Sequence, residues 1–159
     1  MQVLEKYSKK TIARTKLLFQ HDDRNLLNFH EYVDGVDNYV VLTKLENDNL
    51  IAAYSQNKLD QHVANNGPSF ISSLTRGLTV YLEPSLKGSR ATSYNPYYII
   101  FGNDEFRMHP AKKEVLSYLG YQYSYFRPKC APAELIGIKA EAVSFKSFEV
   151  HKVFFEGED

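Results

Sequence analysis

The chain has 159 residues, 43% of them hydrophobic, and its basic and acidic side chains number 19 each, so its formal net charge is zero. This length fits one domain with a sizeable core. The missing basic excess argues against a nucleic-acid partner, whose phosphates need clustered cations, and against charge-driven attachment to an anionic membrane. A chain without net charge also lacks electrostatic self-repulsion, which favours a role as a component of a larger protein assembly.

Cysteine usage and the hydropathy pattern point to a reducing compartment. Cys130 is the single cysteine, which excludes an intrachain disulfide and a cysteine-based zinc site. The opening residues hold no apolar segment of secretory length, and no run approaches the ~20 apolar residues of a membrane span. We therefore expect an intracellular, cytoplasmic protein with no direct membrane insertion. The cations between Lys9 and Lys16 leave a mitochondrial presequence as the alternative.

The chain opens on a basic extension, residues 1–14. Val3, Leu4 and Tyr7 have helical spacing there, so a short helix is possible. Residues 15–20, TKLLFQ, predict the first strand of the domain proper, which we expect to span residues 15–155. The acidic tail that follows, residues 156–159, should be solvated.

An amphipathic helix is predicted next. Leu26, Phe29, His30 and Val33 fall at i, i+3, i+4 and i+7, which is one helical face. Gly35 ends the helix, because glycine tolerates the left-handed conformation found at such ends. His30 lies on the edge of this face. We therefore interpret it as a packed or surface histidine in preference to a metal ligand.

A hairpin follows this helix. Residues 39–45, YVVLTKL, predict a strand with two apolar faces, which should be central and covered on both sides. Residues 46–49 form a polar hairpin turn, and residues 50–54 return antiparallel. The polar segments 55–68 and 85–95 are the longest predicted loops, where binding concentrates.

The second half of the chain is rich in short strands. A long closing strand is predicted at residues 144–155, with Glu149 and His151 on one face and Val150 on the other. Residues 110–133 are less regular, because Pro128 and Pro132 limit regular structure. Shorter strands are predicted at residues 70–74, 79–83, 97–101, 105–109 and around 121–125.

These elements together predict an α+β, mostly β fold. Eight or so short strands with one clear helix and regular turn signals favour two antiparallel sheets packed as a sandwich, with one or two flanking helices. Two cores would then form, one between the sheets and one beneath a helix.

The sequence shows no catalytic constellation, and we expect no catalytic, cofactor-binding or metal-ligating residue. The five histidines lack metal-ligand spacing, and no Gly-x-Ser-x-Gly elbow is present. Glu149 and His151 could form a polar site, although a solvated sheet face is the better interpretation. Cys130 follows Lys129, whose charge could lower the pKa of the thiol and give a redox function; an unreactive thiol is the alternative.

Seven short motifs, ordered along residues 15–155, carry a resemblance to a known family. They include Phe29-His30 with Asp34-Gly35, and the Phe-x-x-Ser-Leu strand that ends at Leu74. In this order the chain resembles the TLDc domain of the oxidation-resistance proteins. The matched positions are Phe29, His30, Asp34, Gly35, Tyr54, Phe70, Leu74, Phe101, Gly102, Leu119, Gly120, Glu149 and Val150.

The chain also departs from the family pattern. Ala52-Ala53 stands where the family has a double glycine before Tyr54, the family's tryptophans are absent, and the glycine-rich turn keeps only Gly102. The resemblance therefore implies a divergent, stand-alone TLDc member without an appended lysin-motif, calcium-binding or GTPase-activating module.

The resemblance implies a non-catalytic protein-interaction module. It would act in oxidative-stress resistance or regulate the vacuolar-type proton pump (V-ATPase), docking through loops 55–68 and 85–95. The first alternative is a structural subunit of a large assembly, such as a ciliary, microtubule or other cytoskeletal lattice. The second is an enzyme that uses Glu149, His151 or Cys130.

Overall fold

The computed structural model describes residues 2–21, 29–58, 68–82, 92–94, 99–101, 106–110, 112–117, 126–127, 132–137 and 142–158. The helices within these ranges are α1 (Gln2–Ser8), α2 (Phe29–Val33) and α3 (Pro132–Ile136). The strands are β1 (Ile12–Gln20), β2 (Tyr39–Leu45), β3 (Leu50–Ser55), β4 (Ser69–Ser73), β5 (Leu78–Leu82), β6 (Thr92–Tyr94), β7 (Ile99–Phe101), β8 (Phe106–His109), β9 (Glu114–Ser117), β10 (Phe126–Arg127) and β11 (Ala142–Phe155).

The strands form two antiparallel layers. The first layer has the order β10-β5-β4-β3-β2-β11, with β1 also paired to β11. The second layer has the order β9-β8-β7-β6, and β9 pairs with the first residues of β11. The α+β, mostly β class is therefore confirmed.

The two layers are continuous through β11, whereas the sequence predicted separate sheets. Phe145 lies opposite Leu45, but Ser147 lies opposite Lys44, so Lys146 is an extra residue in the strand. Such a bulge bends a strand and increases its twist. The bulge lets the first residues of β11 join the second layer while its longer remainder stays in the first.

The inner core lies between the layers. The first layer contributes Val41, Ala53, Ile71 and Val80, and Phe148 and Val150 follow on β11 after the bulge. Residues from α2 and α3 pack into the same cluster. The second layer contributes buried side chains from β7, β8 and β9, namely Ile99, Phe101, Phe106, Met108 and Val115.

The outer core lies on the opposite face of the first layer, beneath α1. Leu4 of α1 is buried there with Tyr54, Phe70 and Phe155. The ring centroid of Tyr7 lies 5.4 Å from that of Phe70. The short helix suggested by the spacing of the first apolar residues is therefore present, and it covers the sheet.

The β2–β3 hairpin is confirmed. Strand β2 lies between β3 and β11, and it buries Val41 and Leu45 in the inner core and Val40 in the outer core. Both faces are covered because both carry aliphatic side chains. The hairpin turn occupies residues 46–49, as predicted.

Three elements of residues 110–137 were not predicted: β9, the two-residue strand β10 and α3. Strand β9 pairs with both β8 and β11, and α3 begins at Pro132. Proline suits the first turn of a helix, where its missing N–H has no partner to lose. The interpretation of Pro132 as a residue that limits regular structure was therefore wrong. The alternating tyrosines of 121–125 lie outside the described residues.

Side chains from two turns hold the end of α3. Asn47 Nδ2 donates to the carbonyl of Ile136 at 3.0 Å, and Asn49 Nδ2 donates to that of Leu135 at 2.9 Å. Arg76 Nε donates to the carbonyl of Glu134 at 2.8 Å. The last carbonyls of a helix lack intrahelical donors, so these three side chains fix α3 to the first layer.

Candidate interaction surfaces

The family-motif residues around α2 form one local structure. Phe29 is buried, and its ring centroid lies 6.3 Å from that of Phe19. His30 Nδ1 lies 2.6 Å from Asp34 Oδ1, one helical turn away. Gly35 has φ +74, a conformation that side chains disfavour. These contacts fix the end of the helix and leave Tyr32, 51% exposed, as its outward aromatic group.

The motif residues Tyr54 and Phe70 lie in the outer core. Their rings stack with centroids 5.4 Å apart. The Tyr54 hydroxyl donates to Asn38 Oδ1 at 3.0 Å. Burial, together with the nearby charges of Glu158 and Asp37, raises the pKa of Tyr54 well above its usual range. These residues therefore organise the face on which α1 rests.

The other motif positions divide between core, surface and the rest of the chain. Phe101 and Val150 are fully buried in the inner core. Leu74 is 40% exposed in the turn that follows β4. Three motif positions, Gly102, Leu119 and Gly120, lie outside the described residues. The candidate thiol Cys130 also lies outside them, so a redox function of Cys130 stays a prediction.

Glu149 and His151 do contact each other. Glu149 Oε2 lies 2.8 Å from His151 Nε2, and the two side chains are 33% and 20% exposed. They share the outer face of β11 with Val153 and Phe155, which lie under α1. No group of three His, Cys, Asp or Glu side chains in the described ranges could hold a metal ion. The pair thus lies on the sheet surface at the margin of the outer core.

His109 is a third histidine with a defined partner. It is buried at the end of β8, and its Nδ1 accepts the backbone N–H of Lys112 at 3.2 Å. Burial lowers the pKa of His109, and the neighbouring charge of Lys112 lowers it further. This hydrogen bond requires that Nδ1 carries no proton. The imidazole in that state stabilises the turn between β8 and β9.

A groove of about 390 Å³ runs between α1 and the β4–β5 turn. Val3, Lys6 and Tyr7 form its helical side, and Leu74 forms part of the opposite side. Ser72 Oγ and Thr79 Oγ1 lie 2.7 Å apart and both line the groove. Its walls combine apolar side chains, hydroxyls and one cation.

The edge strand β1 presents another accessible surface. In the described part of the chain β1 pairs with β11 alone. Every residue from 13 to 17 is exposed, and Leu17 is exposed at 47%. Such an edge leaves backbone N–H and C=O groups available to another strand.

The fold and these surfaces define a mostly β, two-layer domain that presents a groove, an exposed aromatic residue and a strand edge. A family model described as the TLDc domain matches residues 1–150. The chain therefore belongs to the TLDc family, and the resemblance stated from its motifs is confirmed. No curated protein matches the chain. None of the helices in the described residues is long and apolar enough to cross a membrane. The domain boundaries at residues 15 and 155 stay predictions.

Proposed function

We propose that this TLDc domain is a non-catalytic protein-interaction module that acts in resistance to oxidative stress, and that its partner is the vacuolar-type proton pump. The observation that carries the proposal is the family match over residues 1–150, since TLDc domains generally mediate protein interactions. The family match covers residues 1–150, so the surfaces of this domain are themselves the candidate contacts with a partner.

The structure supports docking by a rigid block. The described ends of the loop predicted at residues 55–68 are held together: Ser55 lies opposite Ser69, and the N–H of Gln56 donates to the carbonyl of Pro68 at 3.0 Å. A loop on a fixed base loses less conformational entropy on binding than a loop with free ends. This loop is therefore the first contact that we assign.

Affinity purification combined with an acidification assay tests the proposal. We expect tagged wild-type protein to recover pump subunits and the free protein to change the rate of ATP-driven acidification of pump-containing vesicles. A variant with a glycine-serine linker of equal length in place of residues 59–67 should lose both effects and keep its unfolding midpoint. Glu156→Gln, in the exposed tail, is the matched control and should behave as wild type.

Recovery of no pump subunit, with unchanged acidification, would contradict the pump as partner. Peroxide consumption that disappears in Cys130→Ser would contradict the non-catalytic assignment. The purification and acidification assays test the pump as the partner, and the peroxide assay tests the non-catalytic assignment. The two parts of the proposal are therefore tested separately on the same purified protein.

The equal numbers of acidic and basic side chains support a second function, that of a structural subunit in a ciliary or microtubule lattice. A neutral surface lacks the self-repulsion that keeps free proteins apart. This function predicts that the protein stays with salt-extracted axonemes or microtubules at a fixed stoichiometry. Release of all the protein at moderate salt would exclude it.

A further inference from the structure

We propose that the edge of β1 binds an acidic, extended segment of a partner protein, which adds to the first layer as a further strand and places carboxylates on Arg14 and Lys16. This inference rests on the proposed interaction function and specifies the chemistry of the partner. The name basic edge is used below for Arg14 and Lys16 of β1 together with Lys152 and Phe154 of β11.

The backbone of β1 is available for pairing. Its strand pairing in the described residues uses one edge only, through the antiparallel register with β11, and at its start the N–H of Ile12 donates to Glu5 Oε1 at 3.1 Å. The other edge belongs to five consecutive exposed residues, 13–17. Extended peptides add to exposed edges of this kind, with main-chain hydrogen bonds giving affinity and side chains giving specificity.

The side chains of the basic edge are cationic and only partly neutralised. Lys16 lies opposite Lys152 in the register, which places like charges across the strand pair. Lys152 is neutralised, since its Nζ forms an ion pair with the Asp37 carboxylate and donates to the Asp37 carbonyl at 2.8 Å. Among the described residues no carboxylate forms an ion pair with Arg14 or Lys16. These two cations are therefore available to a partner.

Arg14 is already oriented for binding. Its guanidinium carbon lies 4.0 Å from the ring centroid of Phe154, which lies opposite Arg14 on β11. Stacking on an aromatic face restrains the planar guanidinium and leaves its N–H groups free to bind a carboxylate through two parallel hydrogen bonds. The Arg14 side chain has therefore lost much of its conformational entropy before a partner binds.

The spacing of the cations matches an added strand. Arg14 and Lys16 are two residues apart, so they share a face of β1 and their Cα atoms are roughly 7 Å apart. Acidic residues at alternate positions of an added strand repeat at the same distance and on the same face. The complementary ligand is therefore a β-strand with Asp or Glu at every second position.

Charge also decides against other occupants. A second copy of this chain, paired through the same edge, would bring its own Arg14 and Lys16 against these cations, which opposes association. A nucleic acid would be attracted to the cations but would leave the backbone donors and acceptors of β1 unpaired, and the chain has no basic excess. An acidic peptide satisfies both the charges and the backbone.

Fluorescence anisotropy with a short labelled peptide that alternates glutamate and valine tests the proposal. We expect saturable binding to the full chain that weakens as salt is raised. The double variant Arg14→Glu with Lys16→Glu should weaken binding by about tenfold or more, the effect of losing roughly 1.4 kcal/mol. The control, Lys9→Glu with Lys112→Glu, makes the same charge change at exposed positions elsewhere and should bind as wild type.

Backbone methylation separates strand addition from simple charge attraction. Two further peptides carry N-methyl groups on alternate residues, one on the odd and one on the even positions. Only one of these sets faces β1 in an added strand, so one peptide should lose binding and the other should keep it.

Several results would overturn the proposal. They are equal binding by the two double variants, unchanged binding of both methylated peptides, self-association of the wild type in sedimentation, or stronger binding of RNA than of the acidic peptide. Recovery of pump subunits by the Arg14→Glu, Lys16→Glu variant at the wild-type level would also refute the basic edge, while leaving the pump assignment intact.

Discussion

The hydroxyl of Tyr54 donates a hydrogen bond of 3.0 Å to Asn38 Oδ1, and both residues are buried. Asn38 adopts a left-handed conformation, φ 47, which asparagine tolerates better than most residues. Its backbone N–H donates to the carbonyl of Gln56, and its carbonyl accepts the N–H of Val153. This one residue therefore ties the ends of β2 and β3 to β11, and Tyr54 fixes its side chain.

Tyr54→Phe should destabilise the domain by about 1–3 kcal/mol, because the buried Asn38 Oδ1 loses the donor that the structure gives it. The ring stays in the outer core, so the fold should be kept. Urea unfolding monitored by circular dichroism measures the change. Tyr32→Phe removes an exposed hydroxyl and should change the free energy of unfolding by less than about 0.5 kcal/mol. Equal effects of the two variants would contradict the role assigned to this hydrogen bond.

Alkaline pH should unfold the protein partly through Tyr54. Its pKa in the folded state is raised above the unfolded value, chiefly by burial. Folding therefore favours the protonated phenol, and the stability from this group is fully present below pH ~10 and is lost as pH rises further. Urea midpoints measured from pH 8 upward should fall more steeply for wild type than for Tyr54→Phe. Parallel curves would show that Tyr54 does not contribute.

Local patterns sufficed to predict the elements whose two faces can be read from the sequence. Strand β2 carries aliphatic side chains on both faces, and that pattern alone placed it in the middle of a layer. The closing strand was found for the same reason, since alternation along β11 remains visible on each side of the bulge. In both cases the information lies within a few consecutive residues.

The bulge and α3 depend instead on contacts between distant residues. Lys146 looks like an ordinary polar position until its neighbours are paired with Leu45 and Lys44 of β2. The five residues of α3 are too few to be stable alone; they are held by side chains such as Asn49, which is 86 residues away in sequence. The sequence predicts Asn47 and Asn49 only as turn residues, and no local pattern indicates their second role as donors to α3.

The candidate surfaces show the same limit. The sequence indicated the polar loops as contacts but did not indicate the basic edge. Arg14 and Lys16 fall in an unremarkable basic segment, and their significance depends on the register that brings Phe154 beneath Arg14 and Lys152 opposite Lys16. A strand edge becomes visible only when the order of the strands is known.

Gly137→Ala should destabilise the end of α3. Gly137 has φ +84, and a Cβ atom there would lie 3.3 Å from Asn47 Nδ2, the atom that donates to Ile136. We expect a cost of roughly 1–2 kcal/mol from the left-handed conformation and a further cost from displacement of Asn47. Gly35→Ala is the matched control, because Gly35 has φ +74 with open space around its Cβ position.

The difference in urea midpoint between these two glycine variants measures the contacts of the added methyl group, of which Asn47 Nδ2 at 3.3 Å is the nearest and Arg76 Nη1 at 3.4 Å the next. Adding Asn47→Ala to each should remove most of that difference, since the clashing atom is then absent. Equal midpoints for the two single variants would show that Asn47 can move without cost and that its bond to α3 contributes little.

Mild acid should destabilise the protein through His109. The folded-state pKa of His109 is lowered, first by burial and then by Lys112, so the unfolded state binds the proton more readily. The stability from this group is therefore present above the unfolded pKa of ~6.5 and is lost as pH falls through the folded value. Protonation would also place a proton on Nδ1, the atom that accepts the N–H of Lys112.

His109→Asn supplies an amide oxygen that cannot be protonated in this range, so the decrease in urea midpoint between pH 7.5 and pH 5 should be smaller than in wild type. An equal decrease in both proteins would assign the acid sensitivity to other groups.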